Sequence, residues 1–330
     1  MGKGALVSLE AAMTVKLITI FGGSGFVGRN TVRALARAGY RLRVAVRWPH
    51  TAHFLRPMGD VGQIEIVQAN IRNEDSVRRA LDGADGVVNL VGILYQTRRQ
   101  KFADIHDDGA ERIARLARRS GVATFVHMSA IGADLNSRSR YGRSKAAGEA
   151  KVREVFPDAT ILRPSVIFGA EDDLFNRFAG LAQIAPALPL IGGGDTRFQP
   201  VFVGDVAAAV KKCIEQPSAR GRVYELGGPS IYTFKELMTY MLDTIGRRRL
   251  LVPLPFGLAT FMGFFLGLWP KPLLTMDQVA LLKTDNVVGR GPQRVATFAD
   301  LGIQPVAMDT VVPSYLRRFR RHGQFEESAI

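Results

Sequence analysis

Short apolar runs alternate with helical patterns over the first two thirds of the chain. Leu17 to Phe21, Arg41 to Val46, Ile64 to Val67, Gly86 to Val91, Thr124 to Met128 and Ala159 to Leu162 each read as a buried strand. Between them lie Asn30 to Ala38, with Val32, Leu35 and Ala36 at helical spacing, then Glu74 to Leu81 and Gly109 to Arg119. Alternation at this spacing predicts an α/β fold built on a doubly wound parallel sheet. Beyond Gly169 the pattern loosens. Pro186, Pro189 and Gly192-Gly193-Gly194 mark a loop-rich stretch, after which Val201 to Cys213 returns as strand then helix and Val223 to Leu226 as strand. The expected organisation is a flexible tail at 1–13, a nucleotide-fold domain at 14–226, and a smaller, mostly helical subdomain at 227–330 that also takes in the insertion at 171–199.

The first strand runs straight into Gly22, Gly23, Gly25 and Gly28, and the first helix follows. Strand, glycine turn and helix together form a dinucleotide-binding signature, Rossmann-like in kind. Glycines allow the tight turn and the close approach of backbone to a pyrophosphate, and the helix N-terminus receives the phosphates. The second strand ends at Arg47, about twenty residues on, where an acid would hold the ribose 2′-hydroxyl of NAD. A cation there, with Arg29 close to the turn, suits a 2′-phosphate and favours NADP(H) over NAD(H); the other reading is a solvated arginine at a strand end.

Tyr141 and Lys145 lie four apart on a predicted helix, which places phenol and ammonium on one face. An ammonium nearby should lower the phenol's pKa and make Tyr141 a usable acid or base.

Composition narrows the partners. The 330 residues are 47% hydrophobic and carry a formal charge of +14, so the chain is globular and biased toward an anionic partner. There is no helix-turn-helix or RNP-like motif, and tyrosine and tryptophan are sparse near the arginines, so nucleic acid is not expected. One cysteine, Cys213, excludes an intrachain disulfide and a cysteine metal cluster. The histidines at 50, 53, 106, 127 and 322 are too scattered for a metal site. Asp107-Asp108 and Glu171-Asp172-Asp173 read as loop solvation or interface charges. Arg112, Arg115, Arg118 and Arg119 read as a solvated helix face, and the start of the chain shows no secretory signal.

Taken together, the Gly22, Gly25, Gly28 pattern, Asn89 with Gly92, Tyr141 with Lys145, and Arg163-Pro164-Ser165 through Gly169 resemble the extended or atypical short-chain dehydrogenase/reductases. Phe198 to Val206 resembles that family's later strand-and-Asp motif. The resemblance implies cofactor contacts from Gly22, Gly23, Ser24, Gly25, Phe26, Val27, Gly28 and Arg29 in the turn. It adds Arg47, Asn70, Ile71, Val91, Gly92, Met128, Tyr141 and Lys145, with Pro164, Ser165 and Val166 at the nicotinamide end, and no metal. A narrower likeness lies in Leu55 to Gln63, Ser137 to Glu149, Phe156-Pro157 and Leu301 to Gln304, with prolines at 253 and 255. These resemble the branch of the family that serves as the nucleotide-binding accessory subunit of respiratory complex I.

That branch implies NADP(H) bound tightly without passing electrons, at the junction of the hydrophilic and membrane arms. Its implied partners are other complex I subunits and an anionic membrane surface, with a quinone as a candidate neighbour. It implies a peripheral place on the cytoplasmic face of a bacterial inner membrane, or on the matrix side if mitochondrial. One departure bears on turnover. The broad family places a Ser or Thr after the fifth strand to polarise a carbonyl, and here Ala130 stands at that place with Ser129 one residue early. An offset of one turns a side chain to the opposite face of an extended segment, so the catalytic set of Tyr141, Lys145 and Ser129 leans toward vestigial. The alternatives are an active NAD(P)-dependent reductase, epimerase or dehydratase using Tyr141 and Lys145, and a regulator that reads the NADP(H) ratio.

The second informative stretch is Leu250 to Trp269, uncharged throughout, between Arg247-Arg248-Arg249 and Lys271. Pro253 and Pro255 start any continuous helix near Phe256, leaving about 21 Å of helix against a hydrocarbon core of about 30 Å. Gly263 and Gly267 with Thr260 form a small-residue face, and Phe261, Phe264, Phe265 and Leu268 a greasy one. Three readings stand for this stretch: docking on a membrane surface or membrane subunit, burial as a core helix, and a membrane span. The flanking arginines, with the C-terminal run Arg317 to Arg321, suit an anionic leaflet.

Overall fold

The computed structural model describes residues 16–269, 272–290, 295–321 and 323; the expected tail, Lys271 and His322 lie outside the described residues. β1 (Leu17–Phe21) passes through the glycine turn into α1 (Phe26–Arg37), and β2 (Arg41–Val46) and β3 (Ile64–Gln68) follow. Next come α2 (Glu74–Leu81), β4 (Gly86–Asn89), a π-helical turn at Ala103–Asp107, α3 (Asp108–Arg119), β5 (Thr124–Met128), α4 (Arg140–Val155) and β6 (Thr160–Pro164). β7 (Ile167–Phe168), α5 (Leu174–Ile184), β8 (Ala187–Ile191), β9 (Arg197–Phe198) and β10 (Val201–Phe202) lead to α6 (Val203–Glu215) and β11 (Val223–Leu226). The remainder holds β12 (Tyr232–Thr233), α7 (Phe234–Thr244), β13 (Leu250–Leu254), α8 (Phe256–Leu266), α9 (Met276–Leu281) and α10 (Met308–Leu316).

Seven strands form one parallel sheet in the order β11-β6-β5-β4-β1-β2-β3. The fold is thus a Rossmann-like, doubly wound α/β fold, with the order reversing between β1 and β4. That reversal opens a crevice at the strands' carboxyl ends. The alternation along β1 explains the two cores. Ile18 and Ile20 pack with Val32 and Leu35 of α1 and Val206 and Val210 of α6, while Phe21 turns to Val77, Ile113 and Val152 on the other face. Cys213 sits fully buried in the first of these cores. A third core joins α5, α7 and α10 through Phe175, Leu237, Met241, Val312 and Leu316.

Three sequence readings change here. The fourth strand ends at Asn89, two residues early, because Asn89 turns its side-chain oxygen onto the Val91 N–H (3.2 Å) and starts the loop. Asp172 is a buried cap rather than a solvated charge. Its carboxylate accepts from the N–H groups of Gly169 (3.1 Å), Phe175 (2.7 Å) and Asn176 (3.1 Å) and from the Tyr315 hydroxyl (2.5 Å), tying α5 to α10. On α3, Arg115 is paired with Glu74 (3.1 Å) and Glu111 (2.8 Å), and Arg112 donates to the Ile71 carbonyl, so part of that arginine face is engaged.

The uncharged run at 250–269 divides. Its first five residues pair in parallel with β8, and α8 begins right after Pro255 and ends at Leu266, short of the expected length. Among the described residues no helix is long and apolar enough to cross a membrane. Only Ala259 and Gly263 of α8 are buried. Gly263 lies flat against the chain entering α9, where a methyl would stand 2.9 Å from Met276 N and from Thr275 C. The opposite side is uncovered: Phe261 is 63%, Leu268 74% and Trp269 73% exposed, with Phe264 and Phe265 also open. The basic runs at 247–249 and 317–321 meet in space. Arg247 Nε donates to the Phe319 carbonyl and Arg320 Nε to that of Thr244, both at 3.1 Å.

Candidate functional site

The glycine turn leaves backbone donors open at the head of α1. Gly22 holds φ at +81°, with the Leu90–Val91 backbone so near that a Cβ would lie 3.1 Å from it. A methyl on Gly28 would run into the Gly22 carbonyl oxygen, so α1 can approach the turn only with glycine there. Gly25 is the N-cap of α1 and supplies no side-chain cap. The first helical bond runs from Arg29 N to Gly25 O (2.9 Å), so the N–H groups of Phe26, Val27 and Gly28 have no acceptor within the helix. Open amides and the positive helix end suit a pyrophosphate.

Around the turn the other expected contacts are placed as follows. Arg47 is exposed at the end of β2 and faces the Gln100 side-chain oxygen. Arg29 sits 3.4 Å from Glu171 and stacks over Phe54 at 4.9 Å, with its Nε buried and unpaired. No acid stands at the end of β2. Asn70 is locked by Ser76 Oγ (2.6 Å) and by Arg72 N (3.1 Å), and Ile71 is buried. A Cβ on Gly92 would fall 3.4 Å from Lys145 Nζ and 3.6 Å from His106 Nε2, so the loop after β4 borders the Tyr141–Lys145 helix.

On α4 the two expected residues stand a turn apart. Lys145 Nζ lies 5.9 Å from the centre of the Tyr141 ring and donates to the Met128 carbonyl (3.0 Å). Burial lowers the Lys145 amine to about 8. The expectation that this amine depresses the phenol is overturned. Burial, then the Asp277 carboxylate, push Tyr141 up to about 12, because the ammonium turns to a carbonyl rather than to the hydroxyl.

Two histidines that sequence spacing left apart converge on the same amine. Ser144 Oγ donates to the Tyr141 carbonyl (2.8 Å), so its oxygen accepts a hydrogen bond from His106 Nδ1–H (2.9 Å). His106 Nε2 is then the acceptor for the Ile93 N–H (2.9 Å), and the ring joins the loop after β4 to α4. Burial, Lys145 and His127 lower its pKa to about 2, which keeps it neutral. His127 Nδ1 faces the Asn89 amide (3.1 Å), leaving its proton on Nε2, where no partner lies. Burial and Lys145 lower His127 to about 3. Ser129, 3% exposed, likewise has an unpaired Oγ, while Ala130 is half-buried. No His, Cys, Asp or Glu group that could hold a metal occurs among the described residues.

The far wall is held from a distance. Pro164 O accepts from Ile131 N (3.0 Å), and Asn286 Oδ1 accepts from Ser165 Oγ (2.7 Å) and Val166 N (2.8 Å). Arg163 Nε donates to Glu149 of α4 (2.9 Å). Asp277 Oδ1 accepts from Arg140 N (2.6 Å), and its Oδ2 accepts from Tyr141 N (3.0 Å) and Ser139 Oγ (2.9 Å). Sequence reasoning missed His106, Asp277 and Asn286. A Thr275–Gln278 capping box marks the helix that carries Asp277, but no local pattern says where that carboxylate points.

An anion cradle at a switch point, with a Tyr–Lys pair across the crevice, defines a dinucleotide-fold protein of the short-chain dehydrogenase type. The chain belongs to the NAD-dependent epimerase/dehydratase family, whose model matches residues 18–227. Within that class, it is 36% identical over 317 residues to the Arabidopsis thaliana mitochondrial protein named NADH dehydrogenase (ubiquinone) 1 alpha subcomplex subunit 9. That match covers 92% of this chain and 78% of the relative. It is also 30% identical over 300 residues to a ceramide reductase of Caulobacter vibrioides, covering 90% of this chain and 89% of that protein. Among solved structures, a dTDP-glucose 4,6-dehydratase from Streptomyces venezuelae with NAD and TYD bound shares the fold. Its TM-score is 0.70 at 19% identity, over 94% of this chain and 99% of that one.

Proposed function

We propose that this chain is an NADP(H)-binding accessory subunit of a respiratory complex I, which holds its nucleotide without turnover and stabilises the assembly beside the membrane. The observation that carries this reading is the uncovered apolar side of α8 on a chain that also keeps an open anion cradle. An exposed apolar face of this kind marks a contact with a membrane or a partner protein. Likeness to a complex I subunit over 92% of the chain supports the same conclusion.

The amides of Phe26, Val27 and Gly28 would hold the pyrophosphate. Arg47 would take the 2′-phosphate, and Lys145 the nicotinamide ribose. When bound, the dinucleotide supplies a hydride-carrying ring. Ala130, standing where the wider family carries a hydroxyl to polarise a carbonyl, supports a site that binds rather than reacts. A ligand present at a hundred times its dissociation constant adds about 2.7 kcal/mol to the folded state, so binding alone has a physical effect. The paired basic runs and α8 would face anionic lipid where the hydrophilic and membrane arms join, on the cytoplasmic or matrix side, with a quinone as a neighbour.

Native mass spectrometry of the detergent-extracted assembly tests the reading. The expected result is this chain bound to complex I subunits with one NADPH retained, and an Arg47→Ala chain that loses about tenfold in NADPH affinity but little for NADH. Recovery of the wild-type chain as a nucleotide-free, unattached monomer would contradict it. A second reading, an active reductase, is favoured by the intact Tyr141–Lys145 pair and the reductase relative. Substrate-dependent NADPH oxidation that disappears in Tyr141→Phe would establish it.

A further inference from the structure

The positive ends of α1 and α4 are treated differently. The first is left open, whereas the second is covered by Asp277, a carboxylate from a helix more than a hundred residues away in sequence. Ser139, the N-cap of α4, both accepts from Gly142 N (3.2 Å) and donates to Asp277, so the first turn of α4, which carries Tyr141, is gripped at several points. Nine residues further on, Asn286 accepts from Ser165 Oγ and Val166 N on the opposite wall of the crevice. Between the two, Asp285 accepts from Arg197 N (2.9 Å) and pairs with the guanidinium (2.9 Å), and Thr196 Oγ1 donates to Leu282 O (2.5 Å). The segment 275–288 therefore runs from the head of α4 to the Ser165–Val166 loop after β6, tied down on both sides.

Its amino end is continuous with the apolar helix. Gly263 of α8 meets the Thr275–Met276 backbone without an intervening side chain, and Ala259, Val279 and Ile191 close a small core beneath. A backbone-to-backbone contact has no flexible rotamers to absorb a displacement, so movement of α8 is passed to α9 and to Asp277.

We infer that the segment 275–288 is a strap whose Asp277 and Asn286 position the two walls of the nucleotide site, so that seating of α8 on an anionic bilayer and nucleotide affinity are coupled. This inference rests on the reading that the chain binds NADP(H) and docks through α8. Coupling of this kind is reciprocal: whatever factor docking applies to nucleotide affinity, the nucleotide applies to docking.

NADPH affinity is to be measured by fluorescence titration of the full chain, alone and with vesicles of phosphatidylcholine and phosphatidylglycerol. The same titrations are run on Asp277→Ala, Asn286→Ala and the milder Asp277→Asn, which keeps an acceptor oxygen should the alanine variant fail to fold. The wild-type chain should change its dissociation constant about fivefold or more on docking, with NADPH shifting vesicle affinity by the same factor, and the variants should lose that shift. An unchanged constant on vesicles that do bind the chain would overturn the coupling, as would variants that keep the full shift. If the vesicles fail to bind, the docking half of the function falls, and variant affinities measured alone decide the positioning role: about tenfold weaker NADPH binding supports it, equal binding overturns it. A wild-type chain that takes no NADPH removes both the function and the strap.

Discussion

Beside one buried amine, two imidazoles are held neutral. His106 and His127 titrate in the unfolded chain near 6.5, but their folded values lie at about 2 and about 3. Below pH 6.5 the unfolded chain therefore takes up protons that the folded chain refuses, and stability falls as the pH drops toward 3. Each imidazole contributes about 1.4 kcal/mol per pH unit once well below 6.5. Urea unfolding between pH 6 and pH 5 should lose about 2 kcal/mol from the pair, and His127→Phe should halve that slope. Lys145 behaves in the complementary way. Its amine in this structure is at about 8, and a bound ribose accepting from the ammonium, as proposed above, would raise it. NADPH affinity should be flat below pH 8 and weaken by up to tenfold per pH unit above it, and Lys145→Arg should abolish the dependence. Fluorescence titrations at pH 7 and pH 9 check this.

At the scale of the element, the contact that matters most is the flat one between α8 and the chain entering α9. Gly263→Ala puts a methyl 2.9 Å from backbone atoms of Thr275 and Met276, which neither side can accommodate by a rotamer change. Overpacking of this kind costs about 1–3 kcal/mol, to be read in a denaturant titration, and Gly257→Ala, in open space on the same helix, should cost far less. Element scale is also where the sequence was most readable. Short runs of five or six largely apolar residues placed β1, β2 and β5 to the residue, and Gly22, Gly25 and Gly28 disclosed the turn because its chemistry needs those glycines at that spacing. Pro255 marked the start of α8. What escaped notice depends on long-range approach. His106 reaches Ser144, Asp277 reaches Tyr141 and Asn286 reaches Ser165 across spans that no local pattern encodes. The Tyr141 phenol was misjudged for the same reason: spacing put an ammonium near it, but the direction of that ammonium is set by Met128 on another element.

Across the whole molecule, the formal charge of +14 is partly gathered at one place. The runs at 247–249 and 317–321 lie together, and β13 alone separates the first of them from Pro255 and α8. Each arginine near an anionic surface contributes about 1 kcal/mol, and the aromatic side of α8 adds apolar area to the same contact. Co-sedimentation with phosphatidylglycerol vesicles should therefore fall off with added salt. It should be lost in a chain carrying Phe264→Asp and Phe265→Asp whose far-ultraviolet circular dichroism is unchanged.

Cys213 belongs to this scale too, because it is the chain's one sulfhydryl and it lies in the core with its pKa pushed up to about 12. A protonated, water-excluded thiol offers peroxide, glutathione or nitrosating agents no thiolate to attack. A chain stationed next to redox machinery would then pass through bouts of oxidative stress without acquiring a mixed disulfide or a sulfenic acid, its shape indifferent to the electron balance around it.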